Sequence, residues 1–250
     1  MFRWIALSLS LVAPVAPVLA AVPWNQDAQQ CFELTLPESF QPDKALPYCE
    51  RAMKSGDLNK RNLGHMHYYR GTIWNSKRDY KRAQADFKEA TELDPVLPQA
   101  RSYLGFTHFF FGEFDPAIDD FAAAYELRND DVYAMLWLYM VMMRTGNDGK
   151  ATLSKISREV KFEEWPGPVV EMFLGRITPQ ELLKLAKDAN PARQREKQCE
   201  AYFYGGQQLL IEGKKAEATK MLKAAVATNL TKFVEYEGAR FELQRLARGK

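Results

Sequence analysis

Apolar and small residues recur three and four positions apart along most of the 250-residue chain, the spacing of one face of an α-helix. Leu46, Cys49, Ala52 and Met53 predict a helix over Asp43–Ser55, with Gly56 as its stop. Residues 21–40 read as an irregular entry or a short helix. A further helix is predicted over Asn59–Asn75. Its successor ends at Asp94-Pro95, because proline lacks the donor a continuing helix needs. The pattern then repeats. Gly71-Thr-Ile-Trp aligns with Gly105-Phe-Thr-His, and Tyr80, Ala83, Phe87 and Ala90 align with Phe114, Ala117, Phe121 and Ala124. The offset is constant at 34 residues, from 71 to 105 and from 87 to 121.

A period of about 34 residues with small residues at fixed places resembles the tetratricopeptide repeat, a helix–turn–helix unit that stacks into a solenoid. The fold class expected is therefore all-α. Repeats span about residues 64–97, 98–131, 132–160 and 199–230, within one tetratricopeptide-like domain over 21–250. The repeat over 132–160 is degenerate: Tyr139 stands where the glycine belongs, and Lys155 where the phenylalanine belongs. Residues 160–195 interrupt the pattern as an irregular insertion. In it Thr178-Pro-Gln-Glu is a strong helix start with a capping box, and Asn190-Pro191 reads as the end of that helix. Gly206, Ala218, Leu222 and Ala225 restore the repeat spacing. A last helix over roughly Lys232–Arg248 reads as the cap a solenoid needs against solvent.

The ends and the charge add a compartment. Arg3, the apolar run Trp4–Leu19 and the small-residue site Val18-Leu19-Ala20 predict a signal peptide over residues 1–20, cleaved near Ala20 to leave Ala21 first. Pro14 and Pro17 weaken any retained anchor helix, and the run is short of the roughly 20 residues a span needs. A lipid anchor would need cysteine at the cleavage point; Ala21 is there, and the first cysteine is Cys31. The expectation is an exported, periplasmic protein with no stable membrane insertion. Loss of Arg3 takes 34 basic residues to 33 against 32 acidic ones, far from the basic footprint of a nucleic-acid binder. Cys31 and Cys49 flank a Pro37–Pro42 turn that two helices could share, which favours a disulfide between them in an oxidising compartment; the alternative is two buried thiols. Cys199 is expected to be unpaired.

A narrower resemblance lies in the C-terminal half. Trp165, the run Val169-Val-Glu-Met-Phe-Leu-Gly-Arg-Ile-Thr, Glu181-Leu-Leu, Glu200-Ala-Tyr-Phe-Tyr-Gly-Gly, Ala224-Ala-Val-Ala-Thr and Phe233-Val-Glu are similar to the bacterial NlpI-like lipoproteins, over roughly residues 164–243. The resemblance implies a periplasmic tetratricopeptide adaptor, often dimeric, that docks a processing protease and peptidoglycan hydrolases in cell-envelope maintenance.

In this fold the first helix of each repeat lines the concave face. The candidate partner-binding groove is therefore His65, Tyr68, Tyr69, Thr72 and Asn75 of the first repeat, Ser102, Tyr103, Phe106 and Phe109 of the second, and Tyr133, Leu136, Trp137 and Met140 of the third. These aromatic types are enriched at interface cores; the competing reading is that several pack on neighbouring helices. The helix-borne clamp for a C-terminal carboxylate is missing, since Tyr68, Tyr69 and Thr72 occupy its places. An apolar groove suits a protein or peptide partner, or a second copy of the chain. No catalytic residues, cofactor or metal site are assigned. His65 and His67 point to different helix faces, and Asp119-Asp120 and Glu163-Glu164 read as solvated acids. The function expected is an exported protein-interaction scaffold, not an enzyme. The alternatives are an accessory subunit or regulator of a periplasmic protease or peptidoglycan hydrolase, or a structural homodimer.

Overall fold

A computed structural model describes residues 24–156 and 162–249, side chains at 155 and 156 excepted. The predicted signal peptide with Ala21, and positions 157–160 of the third repeat, lie outside the described residues. Those described form α-helices and one 3-10 turn (Pro37–Ser39), with no strand among them. In order they are α1 (Gln26–Thr35), α2 (Pro42–Lys54), α3 (Lys60–Ser76), α4 (Tyr80–Leu93), α5 (Pro98–Phe111), α6 (Phe114–Leu127), α7 (Val132–Arg144), α8 (Lys150–Ile156), α9 (Gly167–Phe173), α10 (Pro179–Leu185), α11 (Pro191–Ile211), α12 (Lys215–Ala227) and α13 (Val234–Ala247). Neighbours pair as α1/α2, α3/α4, α5/α6 and α11/α12; α2 stacks on α3, α4 on α5 and α6 on α7, and α7 in turn meets α11. The architecture is a tetratricopeptide-type solenoid.

Small residues on the first helix of each repeat decide how close its partner comes. A Cβ on Gly71 would stand 2.6 Å from the Phe87 ring, one on Gly105 2.9 Å from Phe121, and one on Gly206 2.9 Å from Leu222. In all three the filling side chain comes 16 residues after the glycine (71 to 87, 105 to 121, 206 to 222). Repeat three has Tyr139 in the glycine's place, and its α8 is described as far as Ile156. The insertion packs on that tyrosine. Phe173 of α9 packs on Tyr139 with ring centroids 4.9 Å apart, and the Tyr139 hydroxyl donates to the Phe173 carbonyl at 3.2 Å.

One open choice of the sequence reading is resolved, and one boundary differs from it. The entry over 21–40 contains α1, capped by the Asn25 side chain, which accepts from the Ala28 N–H. A Cys31–Cys49 disulfide ties α1 to α2, as the spacing predicted. Asn190-Pro191 starts a helix instead of ending one. The Asn190 side chain accepts from the Ala192 and Arg193 N–H groups, and Pro191 sits at the first helical position, where no N–H is needed. The first helix of the last repeat is therefore longer than the stretch expected from Cys199.

The C-terminal helix does more than close the last repeat. It also crosses to α5, at the far side of the concave face. Phe241 stacks on Phe110 at 5.0 Å and meets Tyr80 edge-on at 5.2 Å. Glu242, buried, takes Arg144 at 2.7 Å and Arg245 at 2.9 Å. Arg245 also donates to the Phe109 and Phe110 carbonyls at 2.9 and 3.2 Å, satisfying the C-terminal end of α5. Burial opposes ionisation of Glu242, but the two guanidiniums outweigh it and hold its carboxyl below the usual range.

Gly238 permits this docking. A Cβ there would stand 2.8 Å from the Phe203 ring and 3.2 Å from Trp137. Rings wedged in a core have little room to yield. Gly238→Ala is expected to lower stability by about 1–3 kcal/mol, the usual cost of overpacking, measured as an earlier urea midpoint with unchanged far-ultraviolet dichroism before the transition.

Candidate functional site

The described structure splits the predicted groove into three parts. Phe109, Leu136, Trp137 and Met140 have no exposed surface and belong to the core. The Trp137 ring lies 4.9 Å from Phe106, 5.0 Å from Phe109 and 5.0 Å from Phe203. The inner wall of repeats two and three is covered by α11 and α13 of the same chain, so these four present no surface to a partner. Ser102 and Phe106 are half-buried beside them. Tyr133 is exposed, with its hydroxyl donating to Glu200 at 3.0 Å. His65 is buried between Trp24 and Tyr69, 3.4 Å from Asp94, and burial lowers its pKa. His67 turns to a different partner, Asp86, at 2.8 Å.

The remaining groove residues are brought together. Tyr68, Tyr69, Thr72 and Asn75 of α3, with Tyr103 of α5, line a cleft of about 910 Å³. Its other walls are Leu36, Pro37, Phe40 and Pro42 of the N-terminal hairpin, and Thr231–Val234 with Glu237 where α13 begins. The aromatic wall is continuous: Tyr68 meets Tyr69 at 5.4 Å and Tyr103 at 5.9 Å. Burial pushes all three tyrosine hydroxyls up, so they stay neutral at physiological pH. Tyr80 and Phe110 also line it, as do Lys77, Arg78 and Lys232. Arg78 reaches Glu237 with Nε and Nη2 each 3.0 Å from Oε1. The hairpin wall and the start of α13 come from segments that the repeat pattern does not describe.

Sequence reasoning missed the buried acids. Asp120 is not a solvated acid: it is 5% exposed, bonded to Arg101 at 3.2 Å and His108 at 2.8 Å. Its neighbour Asp119 is exposed, as are Glu163 and Glu164. Asp86, also buried, takes Arg70 and His67. Burial opposes its ionisation, yet those partners hold it below the ordinary range. The signal was present, because 86 and 120 are separated by the repeat offset.

A second acid cluster joins three helices to the insertion. Glu200 of α11 accepts from the Tyr133 hydroxyl at 3.0 Å and the Trp165 indole N–H at 2.8 Å. Glu235 of α13 accepts from the Tyr204 hydroxyl at 3.1 Å. Burial, reinforced by Glu235, pushes Glu200 up to about 8, and burial raises Glu235 as well. Burial also pushes the neighbouring Cys199 thiol up to about 12, so it stays an unreactive thiol. Among the described residues no group of three or more potential ligands could hold a metal.

No family model matches the chain. In sequence it is similar to a Haemophilus influenzae protein described as a lipoprotein NlpI homolog. The two are 24% identical over 244 residues, covering 83% of this chain and 78% of that protein. The chain resembles the NlpI-like lipoproteins. That coverage exceeds residues 164–243, which carried the likeness in the sequence alone. Among solved structures, a MamA RS-1 ArsTM double mutant matches 83% of this chain and 97% of its own, at 13% identity and a TM-score of 0.44. The P58(IPK) TPR domain matches 89% of this chain and 65% of its own, at 13% identity and a TM-score of 0.38. The NlpI-like resemblance fits the protein-interaction fold, and the disulfide fits an oxidising compartment. No described helix is long and apolar enough to cross a membrane.

Trp137→Ala is expected to cost about 3–5 kcal/mol, as for other aromatic truncations in a core, read from chemical denaturation. A loss below 1 kcal/mol, within the range of exposed sites, would mean that α13 does not bury the ring. Glu200 gives a pH signature. Its folded pKa lies near 8 against an ordinary 4.5. The folded state therefore binds one more proton than the unfolded chain between those values. Stability from this group is complete below pH 4.5 and is lost as pH rises towards 8. Wild type minus Glu200→Gln should therefore fall with pH in that window, by at most about 1.4 kcal/mol per unit, in paired denaturation series.

Proposed function

We propose that this protein is an exported interaction scaffold whose partner, a protein or peptide, enters the cleft between the disulfide-tied hairpin, α3, α5 and the start of α13. One observation carries this reading. The chain's own helices fill most of the inner wall but leave Tyr68, Tyr69 and Tyr103 lining an open cavity. Neutral tyrosines offer large contact area at low entropic cost and a polar tip for hydrogen bonds. The resemblance to NlpI-like lipoproteins supports an adaptor role in the cell envelope, including service to a periplasmic protease or peptidoglycan hydrolase. The signal-like N-terminus and the Cys31–Cys49 disulfide support a periplasmic site of action.

Two measurements test it. Protein recovered from the periplasm should begin at Ala21, by N-terminal sequencing; an intact Met1 in the cytoplasm is the opposing result. A photo-crosslinking phenylalanine analogue at Tyr103 should yield discrete polypeptide adducts in cells, and the same analogue at exposed Glu89 of α4 should not. Equal labelling from both positions would remove the cleft as the site, and an adduct to a second copy would replace the partner by a homodimer.

A further inference from the structure

The turns between the paired helices of repeats two and three carry Gly112 and Gly146, each with φ of +80°. The equivalent place in repeat one, 34 residues earlier, is Arg78, which adopts the same left-handed backbone at φ +61°. Residues with a Cβ are disfavoured there, and local strain of this kind points to a side chain with work to do. The Arg78 side chain lines the cleft, 44% exposed, with one edge on Glu237. Glu237 also takes Arg240 at 2.6 Å, so two guanidiniums share one carboxylate. Lys77 adjoins Arg78; its ion pair is with Asp43, which is 86% exposed and freely hydrated. Lys232, in the loop before α13, lines the same cleft, and no ion pair engages it among the described residues. The cleft thus presents three cations against one carboxylate, beside an aromatic wall.

We propose that the cleft recognises an acidic polypeptide segment, with aspartate or glutamate side chains meeting Arg78, Lys77 and Lys232 and an adjoining apolar side chain resting on Tyr68, Tyr103 and Phe110. This rests on the cleft reading above and adds the chemistry of its occupant. The charge complementarity comes from a turn and a loop. It therefore differs from a clamp built along the first helices, whose places hold Tyr68, Tyr69 and Thr72.

Arg78→Gly gives repeat one the residue its siblings carry, so it removes the cation while relieving the backbone. Lys232→Gln removes a charge from an exposed loop. The assay is fluorescence anisotropy with short labelled peptides in which glutamate alternates with leucine and phenylalanine. The controls are a twin with glutamine for glutamate, one with lysine, and the glutamate peptide with an amidated C-terminus. The glutamate peptide should bind wild type at least about tenfold more tightly than the glutamine twin, and added salt should weaken it. Each variant should weaken the glutamate peptide several-fold while leaving urea midpoints near wild type. Equal binding of the glutamine twin would overturn the acidic preference and leave the cleft standing. Failure of every peptide would sink both. Loss of binding on amidation alone would assign the site to a chain terminus and overturn the choice of internal acids.

Discussion

The packing of α13 against Trp137 and Phe203, made possible by the missing side chain at Gly238, is the contact on which the molecule's shape depends. An open solenoid joins each repeat only to its neighbours. Here a helix from the C-terminus lies against α5, α11 and α12 at once. Its apolar contacts are secured by charge. Glu242 holds Arg144 and Arg245 in the interior, and Arg245 in turn stands 4.8 Å over the Phe109 ring and meets the last carbonyls of α5. A buried carboxylate is costly to leave unpaired, so this network fixes the register of α13 as well as its presence.

The same docking decides what surface is left. With the inner wall of repeats two and three filled, the cleft among the described residues lies where the N-terminal hairpin and the start of α13 face each other across α3. The Cys31–Cys49 bond holds that hairpin together, and Leu36, Pro37 and Phe40 at its turn form a wall of the cleft. Arg78 bridges the two ends of the chain by reaching Glu237. Elements distant in sequence therefore share one cavity, and the strained turn at Arg78 lies at their junction.

Beneath these surfaces runs a set of buried acids with two different solutions to desolvation. Asp86 and Asp120 each recruit basic partners within their repeats. Among the described residues Glu200 and Glu235 take neutral donors, Tyr133, Trp165 and Tyr204, and burial raises both. The first pair repeats with the solenoid. The second occurs once, where α7, α11, α13 and the insertion converge.

The sequence by itself determined the repeat. Gly71 with Phe87 and Gly105 with Phe121 are local events, two helices joined by a short turn, and a constant spacing is enough to reveal them. The Thr178 cap and the Cys31–Cys49 pairing were legible for the same reason. Which first-helix residues face a partner was not. Trp137 and Tyr103 lie 34 residues apart at matching positions, yet one is sealed in the core and the other lines the cleft. Asn190-Pro191 was ambiguous because an asparagine before proline can close one helix or cap the next, and only the backbone beyond it settles which. The burial of Asp120 and the covering of the groove depend on contacts between elements far apart in the chain. Side-chain periodicity records which face of a helix is apolar, but the element that covers that face is chosen by tertiary packing.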